Sequence, residues 1–143
     1  MMNPLMLLSL GSLGACAIGL LIATAPVMAH HSFAAEYDSE KRITIKGKVL
    51  SVELVNPHSW IHVEAEGPDE KMQDWACEFG PPNGLYRNGW NKTSVKVGDV
   101  ITVSGSLAKN GSPTINANNI QTADGKRLFA GSSEGNTAGA GKQ

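Results

Sequence analysis

Along residues 43–55 the chain alternates apolar with polar residues, but the alternation changes phase partway. Ile43, Ile45, Gly47 and Val49 share one parity, whereas Leu50, Val52 and Leu54 share the other. Side chains of a strand point to alternate faces, so such a switch needs an inserted residue. The pattern predicts a bulge and a sharp bend near Gly47 to Leu50. Long, strongly bent first strands occur in small closed barrels.

The rest of the chain continues in short pieces. Asn56-Pro57 makes a turn, because proline pushes the residue before it out of the helical region. A second strand follows, carried by the β-favouring Trp60, Ile61 and Val63. Its alternation puts Ile61, Val63 and Ala65 on one face and His58, Trp60, His62 and Glu64 on the other. Gly67-Pro68-Asp69 closes a hairpin into a third strand, 72–79, with Trp75, Cys77 and Phe79 expected inward. Gly80-Pro81-Pro82 stops that strand, and 83–90 reads as a short helix with Leu85 and Tyr86 as its apolar contacts. A fourth strand runs over 100–103, Asn110-Gly111 signals a hairpin, and 113–122 makes a fifth. Asp124-Gly125 turns the chain into a last short piece, 126–130. Three strands, a helix and two more strands are the order of an all-β, OB-like barrel of five to six strands.

Both ends of the chain differ from this middle. Residues 5–29 are almost wholly apolar or small and end in Val27-Met28-Ala29, so 1–29 reads as a secretory signal, outside fold reasoning. No Lys or Arg precedes the run, and its length would also suit an uncleaved membrane anchor, which needs about 20 apolar residues. Cys16 could belong to a lipoprotein box, but the apolar run continues past it. The expected location is periplasmic or secreted, with a membrane involved only if the signal stays attached. Residues 30–42 read as an arm without a clear strand period, in which Phe33 and Tyr37, four apart, suit a helical turn. The barrel would then occupy 43–130. Residues 131–143 are mostly Gly, Ser, Ala, Asn and Thr and read as a disordered tail.

The 12 basic and 13 acidic residues nearly balance. No clustered basic face of the kind that binds nucleic acid stands out. Past the leader Cys77 is the only cysteine, so no intramolecular disulfide can form there, and Cys77 reads as a small buried hydrophobe.

His30-His31-Ser32-Phe33, Asn56-Pro57-His58-Ser59-Trp60-Ile61-His62-Val63, Gly89-Trp90, Gly98-Asp99 and Asp124-Gly125 together resemble one domain-of-unknown-function family. Its members are small exported bacterial proteins, and the likeness extends over nearly the whole chain past the leader. Cys77 departs from that pattern. The resemblance implies no activity.

All four histidines lie either at 30–31 or in the second strand. Cleavage after Ala29 would give His30 a free α-amine, whose reference pKa of about 7.7–8.0 makes it a ready metal ligand. Amine and imidazole of one residue form a chelate, and one more imidazole completes the three-nitrogen set that copper(II) favours. Some copper proteins use this histidine brace, a likeness of site chemistry alone. His31 could instead bind through its imidazole and the intervening amide. On a straight strand the Cα atoms of His58 and His62 lie about 13 Å apart. Metal–imidazole bonds are about 2.0–2.1 Å, so one strand histidine with His30 is the expected pair. His58, at the strand mouth, is slightly preferred over His62. Singly, each has a plainer reading: His58 bonding turn carbonyls, His62 resting on Trp60.

Three functions compete. The first is binding or delivery of a transition metal, copper(II) before zinc. The second is a metal-free module presenting Trp60 and Glu64 to a peptide, an oligosaccharide or a periplasmic protein. The third, an enzyme, has the least behind it, since no nucleophile–base–orienter set or paired carboxylates stand out, and only Glu64 and Glu78 are acids to consider. Nothing in the sequence fixes an oligomeric state.

Overall fold

The computed structural model describes residues 33–136. Residues 1–32, His30 and His31 among them, and residues 137–143 lie outside the described residues. In chain order the elements are α1 (Phe33–Glu36), β1 (Tyr37–Glu53), β2 (Ser59–Glu66), β3 (Met72–Phe79), α2 (Pro82–Arg87), β4 (Val100–Ala108), β5 (Thr114–Thr122) and β6 (Arg127–Leu128). A 3-10 turn, Ser133–Asn136, follows. None of the described helices is long and apolar enough to cross a membrane.

β1 organises the sheet because its 17 residues pair with two neighbours. Its first part runs antiparallel to β4 and its second part antiparallel to β2. Between Val49 and Ser51 the register with β2 slips by one residue, which is the bulge that the change of phase requires. β3 pairs antiparallel with β2, and its residues Ala76, Cys77 and Glu78 pair in parallel with Thr114, Ile115 and Asn116 of β5. β5 returns antiparallel to β4. The ring β1–β2–β3–β5–β4 is thereby closed, and β6 extends β5 by one short pairing. The fold is all-β and barrel-like, with the strand order and inter-strand helix of an OB-type barrel.

The core follows the alternation. Ile45, Val49, Ile61, Val63, Trp75, Cys77, Phe79, Ile101, Val103, Ile115 and Ile120 point inward and are buried. Leu85 of α2 joins them, as does Trp90, set edge-on to Phe79 with ring centroids 6.0 Å apart. At the β4–β5 hairpin Gly111 adopts φ 80°, a left-handed conformation that glycine takes without strain.

Three expectations change. β1 begins at Tyr37, not at residue 43, because Tyr37, Asp38 and Arg42 pair with β4 around an irregularity at 39–41, a stretch with no buried alternation. α2 spans only Pro82–Arg87, and Tyr86 is 41 % exposed, so Leu85 and Pro82, and not Tyr86, carry the buried contact of that helix. Successive helical residues point about 100° apart, and six residues bury only one stripe. The beginning of the tail is ordered by packing rather than by apolar content: Gly80 N donates to Ala130 O at 2.9 Å, and Gly131 lies directly against Gly80.

Candidate functional site

β2 alternates, so Trp60, His62 and Glu64 occupy the outer face of the barrel, as the sequence indicates, whereas His58 lies one residue before the strand and not within it. Across the β2–β3 hairpin, Trp60 lies opposite Glu78 and Glu64 opposite Asp74. An acid on an outer face is normally solvated, yet Glu78 is only 5 % exposed.

The N-terminal end of the described chain reaches it, and the C-terminal end bonds its β5 neighbour. Phe33 and Tyr37 are buried and stack with ring centroids 5.7 Å apart. The Tyr37 hydroxyl donates to Oε2 of Glu78. From the other end, Ser132 Oγ donates to Oδ1 of Asn116 at 2.7 Å, and Asn116 Nδ2 donates to Ser133 Oγ at 2.9 Å. Asn116 is the β5 residue paired with Glu78. Glu134 forms an ion pair with Arg42, and Lys109 Nζ donates to the Ala34 carbonyl at 2.6 Å, which ties α1 to the β4–β5 loop.

Beneath this cover, Nδ1 of His58 lies 2.9 Å from Oε1 of Glu78. One carboxylate thus receives a phenol on one oxygen and faces an imidazole with the other. Burial first, and then the bond to Glu78, hold the Tyr37 phenol far above its ordinary value, so it stays protonated and donates. A carboxylate at Nδ1 favours the ring proton on that nitrogen and leaves the Nε2 lone pair outward. The His58 side chain is 31 % exposed. Among the described residues no group bonds its Nε2. His58 therefore does not bond turn carbonyls; its partner is a buried acid.

The other expected site residues lie apart. Nδ1 of His62 is 2.8 Å from Oδ1 of Asp74, a second and more exposed imidazole–carboxylate pair. His58 and His62 hold separate carboxylates of β3 on either side of Trp60, and among the described residues no three metal-ligating side chains converge. Glu64 faces outward, 3.8 Å from Lys48. Trp60 is half-buried and lines a cavity of about 550 Å³ with Glu36, Tyr37, Lys109 and Thr114. Cys77 is inward, and burial pushes its thiol up to about 12. His30 and His31, as noted, are not among the described residues.

Sequence reasoning missed the pairing of Tyr37 and Glu78 with His58. The signal was present in part: with Trp75, Cys77 and Phe79 inward, Glu78 must point outward, and a hairpin centred on Asp69 sets it opposite Trp60. Nothing local announces that Tyr37 folds back over that position.

A family model described as "Family of unknown function (DUF6152)" matches residues 18–117, from within the apolar N-terminal run into β5. No curated protein and no solved structure matches the chain.

Proposed function

The chain belongs to this family of unknown function; since membership carries no activity, we propose from the site itself that it binds a transition metal at His58, copper(II) before zinc. The supporting observation is the buried carboxylate behind the ring. Metal-ligating histidines almost always set their second ring nitrogen against a carboxylate, a carbonyl or water, which fixes the tautomer and orients the ring. Glu78 occupies that place, Tyr37 holds Glu78, and Nε2 of His58 is the nitrogen left for an ion.

One imidazole does not hold an ion by itself. His30 supplies the rest: its α-amine after cleavage behind Ala29 and its own imidazole, with His31 as the substitute. Residue 30 is three residues before Phe33, about 10 Å of extended chain. Phe33 stacks on Tyr37, whose hydroxyl bonds the carboxylate that faces His58. The reach is therefore short. Nitrogen ligands of this type favour copper(II) over zinc. The role is binding or delivery in the periplasm or outside the cell, and His62 with Asp74 is the second choice of strand ligand.

The test is a copper(II) titration of the protein beginning at His30, beside a variant carrying one extra N-terminal residue and His58→Ala. Loss of affinity by about tenfold or more in both supports the site; unchanged affinity in both overturns it.

A second reading has its own observation. OB-type barrels bind ligands across strands 2 and 3 and the loop between strands 4 and 5. The cavity beside Trp60 is bounded by β2 and by Lys109, Asn110 and Ser112 of that loop. If this face captures a peptide, an oligosaccharide or a protein without metal, Trp60→Ala abolishes capture and His30→Ala leaves it intact.

A further inference from the structure

The far end of β1 shapes a second site that shares no residue with the first. There Val52 and Leu54 are half-buried against the core. Facing them is the segment between α2 and β4, and the two enclose a groove of about 390 Å³ lined by Val52, Leu54, Trp90, Val95, Val97 and three polar residues. Val95 and Trp90 are buried, whereas Val97 is 68 % exposed at the rim. That volume falls at the lower end of the range for small-molecule sites.

The polar residues of the lining are Asn91, Lys92 and Lys96, so the groove carries two cations and no acid. Among the described residues neither ammonium has an ionic partner. Asp99, the acid nearest in sequence, spends one carboxylate oxygen on the backbone N–H of Lys96 at 2.8 Å and does not line the groove. The segment is held in shape: Trp90 Nε1 donates to Phe129 O at 2.7 Å, and Asn91 Oδ1 accepts from both N and Oγ1 of Thr93.

We propose that this groove binds a single small amphiphile with an anionic head, of the fatty carboxylate class. The apolar tail lies along Val52, Leu54, Val95 and Val97, and the carboxylate sits between Lys92 and Lys96. Charge complementarity selects the head, because the lining offers two unpaired cations to a ligand that brings one anion. The valines and the leucine select a tail over a purely polar anion such as phosphate.

The full chain, labelled at its Val and Leu methyl groups, would be titrated with sodium decanoate below its micellar concentration. Decyltrimethylammonium and decanol serve as matched probes. The expected result is methyl shifts confined to Val52, Leu54, Val95 and Val97, with both matched probes weaker than decanoate by about tenfold or more. The Lys92→Glu/Lys96→Glu variant, exposed and away from the core, should lose decanoate by a similar factor while its spectrum otherwise stays in place. Equal binding of decanoate and decyltrimethylammonium overturns the proposal, as do shifts elsewhere on the barrel. Binding to anionic vesicles without binding of monomeric decanoate also overturns it and assigns the patch to a lipid surface.

Discussion

Replacing Glu78 by Gln keeps the shape of the side chain and removes its charge. The carboxylate offers an acceptor to Tyr37 with Oε2 and to His58 with Oε1. An amide has one acceptor and one donor end, so it can satisfy only one neighbour as before. With its oxygen toward Tyr37, its NH2 faces Nδ1 of His58, and that ring must carry its proton on Nε2, where the metal would bind. Hydrogen bonds to charged groups contribute about 1.5–3 kcal/mol. Removing a buried charge also removes its desolvation cost, which offsets much of that loss, so folding stability should fall by only about 1 kcal/mol. Copper(II) affinity should fall by about 10- to 100-fold, the usual effect of losing the group behind a metal-bound histidine. Competition against a chelator of known affinity reads the second quantity, urea unfolding reads the first, and the 15N shifts of the His58 ring report its tautomer. Tyr37→Phe, which leaves the contact of Oε1 with His58, should weaken copper less. Glu66→Gln, on the exposed end of β2, should change nothing. The reasoning is refuted if Glu78→Gln folds like the parent and holds copper within about threefold of it.

Three further outcomes follow from other parts of the barrel. With its thiol pushed up from 9.0 to about 12, Cys77 presents roughly a thousandfold less thiolate than an ordinary cysteine; alkylation at pH 8 should be very slow in the native protein and become fast in urea at the unfolding midpoint. A Cβ at Gly105 would lie 2.0 Å from the Asn116 carbonyl oxygen; Gly105→Ala should therefore force β4 from β5, cost about 3 kcal/mol and lower the melting temperature by about 10 °C or more. The native Tyr37 phenol titrates far above its unfolded value of about 10, so its contribution is complete below pH 10 and drains away as the pH rises further; urea midpoints should fall more steeply between pH 10 and 11.5 in the parent than in Tyr37→Phe.

Much of the barrel was legible because its cause is local. The change of phase at Gly47 to Leu50 demanded the bulge, and the alternation in β2 and β3 named both the core face and the outer face. The start of β1 was not legible, since Tyr37, Asp38 and Arg42 are strand by pairing with β4 and not by pattern. The ordered residues after Gly131 escaped for a similar reason: they are held by Asn116 and Gly80, far away in sequence, and carry almost no apolar signal. The site divides along the same line. His58 and Trp60 stood out because they share one parity of a local pattern, whereas Tyr37 joins Glu78 from 41 residues away. Only a closed tertiary structure reveals that contact.

The cover over Glu78 has a consequence for the order in which the molecule is made. His58 and Glu78 are synthesised early, but Ser132 and Ser133, which close over the neighbouring Asn116, come more than 50 residues after Glu78. At about 5–20 residues per second, the face waits several seconds for its last piece. A chain ending just before Ser132 would carry every strand of the ring and the Tyr37 contact, yet leave Asn116 without its two serine partners. The bonds to Asn116 are thus the last to form, and a released chain ending at residue 131 is the form in which the ring and this final closure could be studied separately.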